Sequence, residues 1–245
     1  MPPRIHVPDA LAAGAELALP AGAARHVQVL RMQPGDALTL FDGAGGEWSA
    51  AVTHMGRSAV HVRLGVHTAI EREAERPVHL AVGLMAAERM DWLVEKATEL
   101  GAASLQPLLT ERASLRLSGE RAEKKRAHWH AVAVASCEQN GRNRLLDVRQ
   151  QLSLQEHMRQ PAALGAVCWL LSLGDAATPL GHALAALPPG QPVALLSGPE
   201  GGLTPAEEAA AEAAGYRPVG LGRRVLRAET APLAALAALT VDIYL

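Results

Sequence analysis

The sequence predicts an α/β protein: a domain built on a mostly parallel sheet, preceded by a small β-rich domain. Three observations predict it. Up to residue 72, short runs alternate apolar and polar residues, as half-buried strands do. From residue 78 the apolar runs become continuous, as in strands covered on both faces. Segments with helical spacing lie between those runs, and alternating strands and helices build a parallel sheet.

Length and composition bound the reading. The chain has 245 residues, one large domain or two small ones at ~150 residues each. Hydrophobic residues make up 49%, enough for a packed core. Lys and Arg number 23 and Asp and Glu 25, a net charge of −2. That excludes a globally basic nucleic-acid binder but not a local basic face. Aromatics at 3% disfavour a base-stacking platform. The two cysteines, Cys137 and Cys168, exclude a disulfide framework and a four-Cys zinc site. They fit a reducing cytoplasm. No signal-peptide pattern and no apolar run of 18 residues is present, so the expectation is a cytoplasmic protein without a membrane span.

The elements follow in order. Residues 36–42 alternate as a strand, DGAGGE (42–47) turns, and the alternation resumes at Trp48, Ala50 and Val52, which predicts a hairpin. Residues 58–66 alternate again, and closely spaced short strands predict a small barrel or sandwich over 1–72. The charged run EREAER (71–76) reads as a linker, leaving 73–245 as the second domain. VHLAVGLM (78–85) is a buried strand. MDWLVEKATELG (90–101) puts Met90, Leu93, Val94, Ala97 and Leu100 on one helical face, with Gly101 where a C-cap glycine belongs. Strands recur at 104–109, 167–173 and 192–197.

Three segments carry candidate chemistry. In LLSGPEGGLTPAEEAAAEAAG (195–215) a buried strand ends at Ser197, and a glycine-rich turn leads to a helix capped by Thr204 and Glu207. Such a turn lets a ligand approach the backbone, and ligands bind at the C-terminal ends of strands in open α/β sheets. It also suits a purely structural tight turn. Neither the phosphate-loop ending nor the dinucleotide fingerprint is present. In the second segment, residues 216–239, a short strand at 219–221 is followed by Gly222, several arginines and RAET (227–230), with Thr230 as the cap of a last helix. The third, CEQNGRNRLLDV (137–148), closes a long helix starting near Ser118. Residues 112–149 hold nine Lys or Arg against four Asp or Glu, and 217–227 add four arginines, patches suited to RNA phosphates or to a solvated face. His128 and His130 lie at i and i+2 of a helix and do not face each other, so no metal site is expected. Cys137 offers a nucleophile, but a half-buried structural thiol is the reading its surroundings favour.

Taken together, these segments resemble the 16S ribosomal RNA (uridine-N3) methyltransferase family of the SPOUT class. The matching pieces are RHVQVLRMQPGDALTLFDG (25–43), MDWLVEKATELG (90–101), LQPLLTERA (105–113), CEQNGRNR (137–144), LLSGPEGGLT (195–204) and LGRRVLRAETAPLAAL (221–236). The resemblance implies an N-terminal PUA-like β-barrel that contacts RNA, and a C-terminal α/β domain with a trefoil knot. It implies a homodimer, S-adenosylmethionine as methyl donor, and 16S rRNA or the small ribosomal subunit as substrate. Carried over by position, Leu196, Gly198, Glu200 and Gly201 belong to a first cofactor loop. Leu221, Gly222, Val225, Leu226, Glu229 and Thr230 belong to a second, and Leu171 and Ser172 end the preceding strand. Arg25, Arg31, Arg112 and Arg144 are the expected RNA contacts. At Ala86 and Ala87 the family often has a glycine and a basic residue; this chain has Ala-Ala-Glu-Arg, so only Arg89 is left to that loop for an RNA role.

Methylation at N3 requires that the imide proton leave. The resemblance then makes Arg142 and Arg227 candidates for stabilising the uridine anion, and Glu138 for taking or relaying the proton. Glu200 or Glu229 would orient the cofactor. Three other readings stay open: a related methyltransferase acting on tRNA or a ribose 2′-hydroxyl, a non-catalytic RNA-binding assembly factor, and a small-molecule enzyme with a Rossmann-like pocket.

Overall fold

A computed structural model describes residues 2–160 and 165–241. The chain forms two compact units. The first comprises residues 1–73 and 134–145, and the second 74–133 and 146–245.

The first unit contains β1 (Arg4–His6), β2 (Glu16–Ala18), α1 (Ala21–Val29), β3 (Ala37–Phe41), β4 (Glu47–Met55) and β5 (Val60–Thr68). They form one five-stranded sheet in the order β1-β3-β4-β5-β2. The β3–β4 hairpin expected from the DGAGGE turn is present, with Leu38 opposite Ala50. Strand β1 runs parallel to β3, and the other pairs are antiparallel. Alternation buries one set of side chains: Leu38, Leu40, Ala50, Val52, Val60, Val62 and Leu64 share a core with Ile5 and Val27.

The second unit begins with β6 (Val78–Gly83), α2 (Ala87–Glu99) and β7 (Ser104–Leu109), then α3 (Gly119–Asn140), whose last turns belong to the first unit. There follow β8 (Asp147–Val148), β9 (Leu152–Ser153), α4 (Leu154–Arg159), β10 (Val167–Leu171), β11 (Thr178–Pro179) and α5 (Leu180–Ala185). The chain closes with β12 (Val193–Ser197), α6 (Pro205–Ala213), β13 (Arg217–Gly220) and α7 (Thr230–Thr240). The sheet order is β11-β13-β10-β12-β6-β7-β8, with β9 also on β7, and every pair is parallel.

Helices cover both faces, which is why these strands read as unbroken apolar runs. Leu195 packs on one side with Leu80, Leu93 of α2 and Leu236 of α7. Leu196, the next residue, packs on the other with Ala81, Leu170 and Ala211 of α6. Helix α2 buries Met90, Leu93, Val94 and Ala97, as its spacing predicts. Gly101 follows at φ +85°, a backbone conformation open to glycine, and ends the helix. Helix α6 has the expected capping box: Thr204 Oγ1 accepts from Glu207 N–H, and the Glu207 carboxylate accepts from Thr204 N–H.

Helix α7 departs from expectation. Thr230 is its first helical residue and Glu229 holds the N-cap position, with no side-chain cap. Here the turn is closed by backbone instead, since the Arg227 carbonyl accepts from both Thr230 and Ala231 N–H.

Candidate functional site

The parallel sheet sets the site. Strands β13, β10 and β12 are neighbours, and their C-terminal ends deliver three loops to one edge. Those loops enclose a cavity of about 380 Å³, within the ~300–1,000 Å³ usual for a small-molecule site. Leu171, Ser172 and Leu173 enter from β10, residues 197–203 from β12, and Leu221, Arg224, Val225, Leu226 and Ala228 from the loop after β13.

The first loop, GPEGGL, is shaped by close approach. A β-carbon on Gly198 would lie 2.8 Å from Leu203 N and 2.9 Å from Gly202 C, so only glycine closes this turn. Arg112 lies along the loop, and its Nη1 donates to the carbonyls of Gly201 at 3.0 Å and Leu203 at 3.4 Å. Glu207, the capping carboxylate of α6, also accepts from Glu111 N–H at 2.8 Å. Thus the segment after β7 is tied to both the loop and the helix that follows it.

Glu200 joins more distant parts of the chain. Its Oε1 accepts from Ala86 N–H at 2.9 Å and its Oε2 from the Ser114 hydroxyl at 2.7 Å. Helix α2 has no cap of its own, and this carboxylate supplies negative charge at its N-terminus. Burial raises the Glu200 carboxyl, but the hydrogen bonds from Ala86 and Ser114 and the nearby Arg89 charge outweigh it and hold the group below the usual carboxylate range. Glu208, also on the cavity wall, is pushed the other way by burial and by neighbouring Glu212.

Most residues expected to hold a cofactor converge here. Leu171, Ser172, Gly198, Glu200, Gly201, Leu221, Val225 and Leu226 line the cavity. Leu196, Gly222, Glu229 and Thr230 do not. Leu196 is fully buried in the core of the opposite sheet face. Gly222 turns the second loop at φ +101°. Glu229 is buried behind the loop, its Oε2 without a hydrogen bond. Sequence reasoning missed Arg224, an exposed cation on the wall whose only signal was its place in the basic run 217–227.

Of the expected catalytic set, Arg142 and Glu138 belong to the first unit and Arg227 to the second. Arg142 is 4% exposed and belongs to the first unit, where its Nε donates to Glu73 Oε1 at 3.0 Å and its Nη2 to Oε2 at 2.5 Å. Glu138, in the same unit, accepts from His6 N–H at 3.0 Å and sits 3.4 Å from His26. Both charged groups are thus engaged within the first unit. The neighbouring Asn143 is fully buried between the Ile70 carbonyl and Glu47. Arg144 pairs with Glu71 at 3.3 Å. CEQNGRNR is therefore folded against the run read as a linker: Glu71, Arg72 and Glu73 all bond to it.

Arg227 differs from Arg142. It is exposed, between the wall residues Leu226 and Ala228, and among the described residues no carboxylate lies within ion-pair distance. Of the expected RNA contacts, Arg25 and Arg31 are exposed, Arg31 at φ +55°. Arg112 is engaged with the first loop. Cys137 is buried, its Sγ 3.6 Å from the Arg144 carbonyl. Among the described residues no cluster of His, Cys, Asp and Glu suits a metal, and no helix is long and apolar enough to cross a membrane.

Comparison with known proteins accounts for this arrangement. A family model described as an RNA methyltransferase domain matches residues 72–240, and one described as an RNA methyltransferase PUA domain matches 19–65. Ribosomal RNA small subunit methyltransferase E from Synechocystis sp. is 34% identical over 210 residues, 86% of this chain and 67% of that protein. The Bacillus subtilis protein of the same name is 33% identical over 218 residues, 87% of this chain and 85% of that one. A crystal structure of this methyltransferase from Neisseria gonorrhoeae, bound to S-adenosyl methionine, superposes with a TM-score of 0.90 at 34% identity, covering 97% of this chain and 96% of that one. A putative methyltransferase from Legionella pneumophila with bound cofactor SAM gives 0.91 at 34% identity, covering 98% and 97%. The N-terminal sheet and the parallel α/β domain are thus both matched by models of one family, and this chain belongs to it: the RNA methyltransferases represented by ribosomal RNA small subunit methyltransferase E.

Proposed function

We propose that the protein methylates N3 of a uridine in 16S ribosomal RNA, using S-adenosylmethionine. The observation that carries this reading is the cleft walled by GPEGGL and the loop after β13, in a chain closely similar to two structures that hold that cofactor. The residues fit such a ligand. Glycines at 198, 201 and 202 leave main chain open to a polar edge, and Leu171, Leu221 and Leu226 offer apolar walls to a ring. When bound, the cofactor supplies an electrophilic methyl group on a sulfonium.

The chain's own residues then position and polarise. A neutral uridine imide is a poor nucleophile, so cations beside the cleft that favour its anion lower the barrier. Arg227 and Arg224 are the arginines suited to that role. A guanidinium in that place acts electrostatically, not as a base. The target base must be unstacked, at a cost of a few kcal/mol. On the same reading the chain works as a cytoplasmic homodimer, its cleft loops belong to a trefoil knot, and Arg25 and Arg31 contact RNA from the PUA-like unit.

The test offers labelled S-adenosylmethionine with unmethylated small subunits, naked 16S RNA and tRNA side by side, and identifies the labelled nucleoside by mass spectrometry. 3-Methyluridine from the subunit or its RNA is the expected result. Label in tRNA or on a ribose would overturn the substrate. Cofactor binding with no transfer would favour a binding protein.

A further inference from the structure

The two loops that wall the cleft come from different parts of the chain, and each carries one carboxylate next to the same cation. Arg89, in the first turn of α2, places Nη1 3.4 Å from Glu200 Oε1 and 3.9 Å from Glu229 Oε2. Glu200 lies in the first loop, and Glu229 sits between the second loop and α7. The Glu229 side chain is 10% exposed, and its Oε2 has no hydrogen bond, so Arg89 is the only cation within ion-pair distance of it among the described residues. Neither loop bonds directly to the other through these carboxylates. Two like charges facing one another would repel and drive the loops apart.

We propose that Arg89 is a positioning residue that bridges Glu200 and Glu229 and thereby fixes the width of the cofactor cleft. The sequence offered Arg89 only as the basic residue left in an RNA-facing loop. The geometry gives it a different task. Its guanidinium neutralises two carboxylates that would otherwise oppose each other, and α2 anchors it through Met90 and Leu93, both fully buried one and four residues on. Arg89 touches neither substrate nor cofactor in this account; it acts through the loops. A single nitrogen makes both contacts, so a lysine ammonium can replace it, which planar bidentate recognition would not allow.

The inference rests on the cofactor reading, so the test has one readout that does not. Hydrogen exchange of the protein without cofactor reports the two loops directly. Arg89→Met is expected to speed exchange in residues 198–203 and 221–229 together, while Arg89→Lys stays near the parent. Calorimetry with S-adenosylmethionine should then show roughly tenfold or more weaker binding for Arg89→Met, within about threefold of parent for Arg89→Lys, and partial recovery in Arg89→Met/Glu229→Gln, where the stranded carboxylate is gone. Arg89→Gln replaces Arg89→Met should the latter not fold. Unchanged exchange in both loops, or a change in one alone, overturns the bridge, as does Arg89→Lys behaving like Arg89→Met. A parent protein that binds no S-adenosylmethionine overturns the cofactor reading instead, and the exchange data still decide the bridge.

Discussion

Arg142 and Glu73 form a two-pronged ion pair, Nε to Oε1 at 3.0 Å and Nη2 to Oε2 at 2.5 Å, between residues 69 positions apart. The arginine side chain is 5% exposed and the carboxylate 24%. Removing one member of such a pair leaves the other charge poorly compensated. Arg142→Ala is therefore expected to destabilise the protein by roughly 2–3 kcal/mol, somewhat below the fully buried case because Glu73 keeps some water. Denaturant unfolding checks this. Arg142→Met/Glu73→Met should recover much of the loss, and an Arg142 variant of full stability with turnover lost would assign Arg142 to the reaction.

Gly83, at the end of β6, faces the GPEGGL loop. A β-carbon there would lie 2.5 Å from Pro199 Cδ and 2.6 Å from Pro199 N, against ring and backbone that have little room to yield. Gly83→Ala should cost about 1–3 kcal/mol of stability through overpacking and displace GPEGGL. Calorimetry should show weaker S-adenosylmethionine binding, with RNA affinity unchanged. Cofactor affinity equal to the parent would show that the loop absorbs the methyl group.

The Thr204–Glu207 capping box starts the helix that follows the same loop. Thr204→Ala should cost about 1 kcal/mol, and Thr204→Ser should cost little because the accepting oxygen is kept. Thermal unfolding distinguishes them. Glu207→Ala should cost more than Thr204→Ala, since its Oε1 also holds Glu111 N–H.

Acid should weaken the first unit through Glu47. Burial raises this carboxyl, but hydrogen bonds from Arg72, Arg4 and Asn143 prevail and bring it down to about 2. A carboxyl lowered in the folded state contributes its full stabilisation above the unfolded value, near 4.5, and loses it as pH falls toward 2. Glu47→Gln should lower stability at neutral pH and flatten its fall between those values. An acid limb identical to the parent would exclude Glu47 as its source.

Local signals were legible in the chain. The hairpin around DGAGGE, the C-terminal glycine of α2, the capping box of α6 and the apolar runs of the parallel strands depend on neighbours within a few residues, and the structure has each of them. The cleft was legible for a related reason. Glycines after a buried strand point to a ligand edge wherever the sheet is parallel. The cap of α7 was misread because the Arg227 carbonyl, not the Thr230 hydroxyl, closes that turn.

By itself, then, the sequence determined strand and helix type, the glycine-built loops and the family. Tertiary structure alone decided which partner each charge meets. Arg142 and Glu138 meet partners far along the chain: Glu73 at 69 residues and His6 at 132. Arg89 and Arg112, single cations in the sequence, have Glu200, Glu229 and the Gly201 carbonyl beside them in the fold. The physical reason is that a charge is set by what surrounds it in space, at ranges of a few ångströms, and chain spacing does not encode that distance.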